Sequence, residues 1–191
     1  MAGMTIRADA ARNREAIISA AELVFAEQGA QVPLQKIAEH AGVGRGTLYR
    51  HFPNRAALVF AVFEARLSGF EAYSAARLDD PLLAETILIT MLDTQRRTAG
   101  RVTTIMASGK YSTRLTQLTD RTLAYLAPAM ERAQAAGRLL PDSSPRDFLL
   151  AWSMFEAVSS TPEHFDRVEH LARSRELLLR ALLTSEAIAE L

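Results

Sequence analysis

The sequence predicts an all-α protein, with a three-helix head at the N-terminus and a larger helical body behind it. Three observations carry this reading. Apolar residues recur at helical spacing along nearly the whole chain of 191 residues. Alternating, strand-like runs bounded by turns are absent. Gly29, Pro33, Gly42, Pro53, Gly137 and Pro145 punctuate the pattern where helices would stop or start.

The elements follow in order. Ile17, Ala20, Ala21, Val24 and Phe25 share one face of a first helix over about Asn13–Gln28, stopped by Gly29. Pro33 opens a second helix to about Ala41, with Ile37 and Ala38 inward and Gly42 at its end. A short third helix covers about Arg45–His51, with Leu48 and Phe52 inward. Asn54 caps a fourth, connecting helix at about 54–70. Asp79–Pro81 place a cap and a proline at the start of a central helix containing Ile87 and Met91. A long helix fits Thr116–Ala136, ended by Gly137. Ser144, Pro145 and Asp147 form a capping box for the next helix, and Thr161 restarts the chain for a last one to about Leu183. The predicted division is a head at residues 1–58 and a body at 59–191.

Composition narrows the function classes. Hydrophobic residues make up 49% and charged residues 23%, which suits a globular chain and argues against disorder. Basic and acidic side chains balance at 22 each, so net charge gives no hint of nucleic acid. Residues 1–55 hold seven Arg/Lys against five Asp/Glu, a weak basic bias in the head. With no cysteine, disulfide frameworks and thiolate metal sites are excluded. The N-terminal stretch has no apolar core of signal-peptide length, and no apolar run approaches the ~20 residues of a membrane span. A cytoplasmic location is the expectation.

The stretch Gly42–Phe52, GVGRGTLYRHF, decides between two kinds of phosphate binder. A dinucleotide loop needs G-x-G-x-x-G after a strand, and here the spacing is G-x-G-x-G after a helix. The Walker spacing is missing too. A helix–turn–helix fits: two short helices, a glycine-bearing turn, and a second helix with one polar face. Arg45, Thr47, Tyr49 and Arg50 supply hydroxyl and guanidinium donors for a DNA backbone. Gly46 inside that helix costs ~1 kcal/mol against alanine. Close approach of the backbone to the second helix or to DNA would account for it.

The segment Arg14–Leu58 resembles the DNA-binding head of the TetR family of transcriptional regulators. The likeness rests on the A-A-x-x-x-F run with its closing glycine, I-A-x-x-A-G-V, the G-T-L-Y-x-H-F recognition helix, and the asparagine-plus-basic start of the fourth helix. It covers about 45 residues without a gap, while the rest of the chain fits the family only by helix pattern. The resemblance implies a homodimer on a double-stranded DNA operator, a small-molecule effector in the body, no cofactor and no enzymatic activity. It places Gly44, Arg45, Gly46, Thr47, Tyr49, Arg50 and His51 at the recognition helix, Gln35 and Lys36 where the second helix meets phosphates, and Arg55 on the backbone. Two departures stand out: Pro33 and Gly44 occupy positions where the family often carries a hydroxyl cap.

Blander roles compete with these. Phe52 reads as core, and Arg7, Arg12 and Arg14 read equally as a DNA arm or as solvated charge. His164 and His170 stand six apart, unlike the i, i+4 pairs of zinc helices, so no metal site is expected. By family analogy Met91, Met106, Tyr111, Tyr125, Trp152 and Phe155 are candidates for the effector cavity, although each also suits a plain core. Asp93, Thr94 and Thr104 are its candidate polar groups. Val158, Leu171, Leu178, Leu179 and Leu182 exceed what one inner face needs, and are the candidate four-helix dimer interface. The expected function is a ligand-responsive transcriptional repressor. The alternatives are an activator or ligand-independent DNA binder of the same fold, and, further off, an all-helical enzyme.

Overall fold

The computed structural model describes residues 2–97, 112–159 and 167–191. They form an all-α protein: α1 (Ala2–Gln28), α2 (Leu34–His40), α3 (Arg45–His51), α4 (Arg55–Ala75), α5 (Leu83–Arg97), α6 (Ser112–Ala135), α7 (Pro145–Ser159), α8 (Arg167–Leu182) and α9 (Ser185–Ala189). The only β pairing among the described residues is one bridge between Leu139 and Leu183.

Local chemistry sets most of the boundaries. Gly42 adopts φ +66°, Gly42 N–H donates to Glu39 O at 3.1 Å, and Val43 N–H donates to Ala38 O at 3.0 Å. This is a Schellman stop, and it needs a residue that tolerates left-handed backbone. Gly137 (φ +70°) ends α6 with the same pair of bonds, to Gln134 O and Ala133 O. Asn54 accepts from Ala57 N–H at 2.9 Å and caps α4. In the Ser144–Asp147 box the carboxylate takes both the Ser144 N–H, at 2.7 Å, and the Ser144 hydroxyl, at 2.6 Å. Those bonds hold the Asp147 carboxyl below its usual range.

Several boundaries differ from expectation. α1 begins at Ala2 and not near Asn13, because the preceding stretch carries four alanines and two arginines, has no proline, and holds its single glycine, Gly3, at the very start of the helix. α4 runs on to Ala75, past the expected end near Phe70. Asp80 Oδ1 accepts from Leu82 N–H at 2.9 Å, so it caps a turn, and regular helix begins three residues after it, at Leu83. The last expected helix ends at Leu182, close to the expected Leu183, and a further short helix follows it: Thr184 caps α9 by accepting from Ala187 N–H at 3.2 Å. Thr161 lies outside the described residues.

Two apolar cores result. The first joins α1, α2, α3 and the first half of α4, with Ile17, Ile37, Leu48, Phe52 and Phe60 fully buried. It extends to Leu67 and takes in Leu118 of α6, so packing continues across residue 58. The second holds α5 to α9 around Leu88, Leu92, Met130, Phe148 and Phe155. Tyr125 packs against both.

Candidate nucleic-acid interface and body cleft

α3 is a seven-residue helix too short to stand alone, and tertiary packing holds it. Leu48 (1% exposed) and Phe52 (2%) anchor one face in the first core. The opposite face is open: Arg45, Gly46, Tyr49 and Arg50 are exposed, and Thr47 and His51 half-buried. Arg45 lies over the Tyr49 ring at 5.6 Å, and Arg50 Nη2 donates to Thr47 Oγ1 at 3.1 Å. Both arginines thereby lie against neighbouring side chains of α3 itself.

Both expected caps lack a side-chain bond. Pro33 precedes α2 and Gly44 precedes α3, each in extended backbone and each without a side chain able to accept. The Gly44 carbonyl takes Thr47 N–H at 2.9 Å and Leu48 N–H at 3.1 Å. Gly46 departs from one of its two expected explanations. A Cβ there would meet no atom of the chain within 4 Å, so the α2 backbone is not what requires glycine.

The flanking residues take definite places. Gln35 Nε2 donates to Glu39 Oε1 at 3.0 Å and Lys36 Nζ to Gln28 Oε1 at 3.1 Å, all on the exposed side of the head. Arg55 differs from a purely external role: its Nη1 donates to the Ala30 carbonyl at 2.6 Å, tying α4 to the α1–α2 turn. Arg14 lies over Phe52 at 5.5 Å, and Arg12 pairs with Asp9. The side chain of Arg7 lies outside the described residues.

The body contains a narrow cleft of about 540 Å³, solvent at its mouth included. Phe63, Phe70, Met91, Tyr125 and Trp152 line it, with Arg66, Thr94 and Thr122 as its polar groups. Burial, and secondarily the charge of Glu71, push the Tyr125 phenol well above its usual range, so it stays neutral. A wider groove of about 960 Å³ adjoins the cleft and shares Arg66, Phe70 and Thr94 with it. Of the candidate cavity residues, Met91, Tyr125 and Trp152 line the cleft. Phe155 is instead fully buried in the second core. Met106, Tyr111 and Thr104 lie outside the described residues, and Asp93 accepts from Arg175 Nε at 2.9 Å.

Arg66 was missed by sequence reasoning, yet a signal was there. Phe63, Leu67 and Phe70 make an i, i+4, i+7 apolar stripe, and Arg66 is the charged residue beside it. α4 carries further charge on another side. Arg121 of α6 grips Glu71 through Nε–Oε1 at 3.0 Å and Nη2–Oε2 at 2.6 Å, and also donates to Ser68 at 3.2 Å. One heptad earlier, Arg114 meets Glu64 at 3.4 Å.

The candidate dimer residues need correction. Leu171, Leu178, Leu179 and Leu182 are at most 8% exposed and belong to the protomer's own core, because α8 packs on α7 with its widest apolar face. Val158 is half-buried against the same core. The large apolar side chains left open on the described parts of these two helices are Leu150, Met154, Val168 and Leu177.

A model of bacterial regulatory proteins of the tetR family matches residues 17–62. An HTH-type transcriptional regulator of Staphylococcus aureus, SAB2452, is 39% identical over 66 residues, 34% of this chain and 36% of that protein. The chain thus matches little more than a third of that relative's length. The TetR transcriptional regulator SCO0520 from Streptomyces coelicolor is similar throughout: 30% identity over 90% of this chain and 99% of that one, with a TM-score of 0.59. The chain belongs to the TetR family. A TetR regulatory protein from Mycobacterium vanbaalenii shares 27% identity over 94% of this chain and 99% of that one, again with a TM-score of 0.59. TetR proteins are transcriptional regulators with a DNA-binding helix–turn–helix, and the head described above is that element. No described helix is long and apolar enough to cross a membrane. Among the described residues no group of three His, Asp or Glu side chains converges on a metal position, and His164 lies outside them.

Proposed function

We propose that the protein is a homodimeric, one-component transcriptional repressor released from its operator by a small, mostly apolar effector. The observation that carries this reading is the two-sided construction of α3. Leu48 and Phe52 fix it to the head, while Arg45, Tyr49 and Arg50 stand exposed on the other side. A helix anchored that way can enter a major groove without deforming, with its N-terminal N–H groups toward phosphate. In this reading Gly44, Arg45, Gly46, Thr47, Tyr49, Arg50 and His51 meet the DNA, with Gln35 and Lys36 on the flanking backbone and Arg55 in a bracing role.

Two heads must sit ~34–36 Å apart to read half-sites one helical turn apart. A second copy meeting this one through Leu150, Met154 and Leu177 would set that spacing, in place of the buried leucines of α8. The effector reading rests on the cleft, whose lining is apolar with a few polar groups, as small-molecule sites are. An effector favouring a head spacing that mismatches DNA drives release by its differential affinity.

The test is an anisotropy titration against DNA upstream of the protein's own gene. Binding is expected to weaken steeply with salt, and Tyr49→Phe to weaken it by severalfold with the fold intact. Met154→Glu is expected to yield a monomer by light scattering that no longer binds both half-sites. Absence of salt-sensitive binding to every candidate operator would falsify the reading.

A further inference from the structure

We infer that the effector is an apolar monocarboxylic acid whose carboxylate takes Arg66 away from Glu22. This rests on the reading that the body cleft holds a small molecule, and it names that molecule's class and how its arrival reaches the head.

Three observations converge on Arg66. First, it stands where two spaces meet, since it lines both the narrow aromatic cleft and the wider groove beside it. The groove carries Thr86, Thr90 and Thr94, one turn apart along α5, which give it a polar wall. A molecule entering through the groove would pass its apolar part into the cleft and leave its polar end at Arg66 and Thr94. Second, Arg66 is held by the head. Its Nε donates to Glu22 Oε1 of α1 at 2.8 Å, across 44 positions of sequence. Among the described residues that contact uses Nε alone, and the Nη edge is left for a second, bidentate partner. Third, the link is weak enough to exchange. The Arg66 side chain is 19% exposed, but Glu22 is 43% exposed, so water already competes for it.

A guanidinium on a mostly apolar wall is matched by a carboxylate, which it binds in fork geometry. A cationic ligand would meet like charge there, and a neutral one would accept a hydrogen bond from the guanidinium without the charge-assisted fork. An acid on the Nη edge competes with Glu22 for the same guanidinium and sets a second negative charge beside it, which drives Glu22 off Arg66. The polar tie between α1 and α4 beside the groove is then lost, while their apolar packing stays. On its other side α4 stays fastened to α6 by Arg121 and Glu71. The coupling is reciprocal, so whatever Glu22 contributes to holding the head is subtracted from effector affinity.

The test compares 4-phenylbutyrate with its neutral counterpart, 4-phenylbutan-1-ol, on the full chain. Trp152 is the only tryptophan and lines the cleft, so its fluorescence reports occupancy. The acid is expected to bind at least ~10-fold tighter than the alcohol. Arg66→Gln should bring acid and alcohol within about twofold of each other, while Arg66→Lys keeps a preference for the acid. Glu22→Gln should tighten the acid severalfold and leave the ratio of alcohol affinities near one. Equal affinity for acid and alcohol overturns the inference but leaves an effector cleft standing. An unchanged acid affinity in Glu22→Gln overturns the exchange. No Trp152 response to either probe overturns both the inference and the cleft, while operator binding, measured separately, still decides the regulator reading.

Discussion

In the head, two seven-residue helices are held by one small core and by backbone stops at each end. In the body, helices of 15 to 24 residues bury whole faces against one another, with ion pairs between them. The difference is in what each region must keep fixed. The head has to present a rigid polar surface, so nearly every position of α3 is either anchor or exposed donor. The body has to leave room, and its cleft lies where α4, α5, α6 and α7 fail to close. Similarity follows the same division. The family model matches residues 17–62, whereas the remainder is related to solved regulators through overall architecture.

The harshest way to test that contrast is to remove the anchor of α3. Phe52 is 2% exposed, shares the first core with Leu48 and lies under the Arg14 guanidinium. Phe52→Ala should cost ~3–5 kcal/mol by cavity formation. The expected outcome is lost DNA binding and a low-temperature unfolding step in the far-UV signal, with Trp152 emission unchanged until a second step. A single coincident transition by both probes would mean that the two cores, joined through Tyr125 and Leu118, fold as one unit.

A gentler cut separates α4 from the body and leaves both cores whole. Arg121 holds Glu71 with two bonds, and this pairing raises the arginine's already high pKa further. Its side chain is 39% exposed, so solvent screening keeps the contribution to ~1 kcal/mol or less. Arg121→Met, which keeps the packing of the stem, should lower Tm by only ~2–4 °C. Operator affinity is the more informative reading. If α4 transmits the state of the body to the head, this substitution shifts it while the heads themselves are untouched.

These two regions were not equally legible in the sequence. Gly42, Asn54 and Gly137 could be placed because caps depend on residues within four positions. Leu48 and Phe52 could be assigned inward because a seven-residue helix has one apolar side. The leucines of α8 could not be sorted that way. Leu171, Leu178, Leu179 and Leu182 lie on a wide apolar stripe, and only the packing of α7 shows that they face inward while Leu177 faces out. Arg66 could be seen beside the apolar stripe of α4, but its partner was out of reach for a different reason. Its role depends on α1 passing Glu22 beside α4, a contact between residues 44 apart. Gly46 shows the limit of a local argument: its cost is real in the chain, but its cause is not contact with α2.

The smallest expected effect returns to the cap of α3. Gly44 has φ −68° and ψ 149°, an ordinary extended backbone for any residue. A Cβ there would meet nothing within 4 Å. Gly44→Ser therefore introduces no strain, and its hydroxyl can accept from the N–H of Gly46 or Thr47 as an N-cap does. Serine exceeds glycine at this position by only a few tenths of a kcal/mol, a shift in Tm of about 1 °C. A hydroxyl at the mouth of the recognition helix is also a phosphate donor. If Tm rises slightly and operator affinity rises severalfold, the hydroxyl reaches the backbone phosphate. If Tm rises and affinity does not, the helix N–H groups already supply that contact, and glycine at the turn costs the head only its cap.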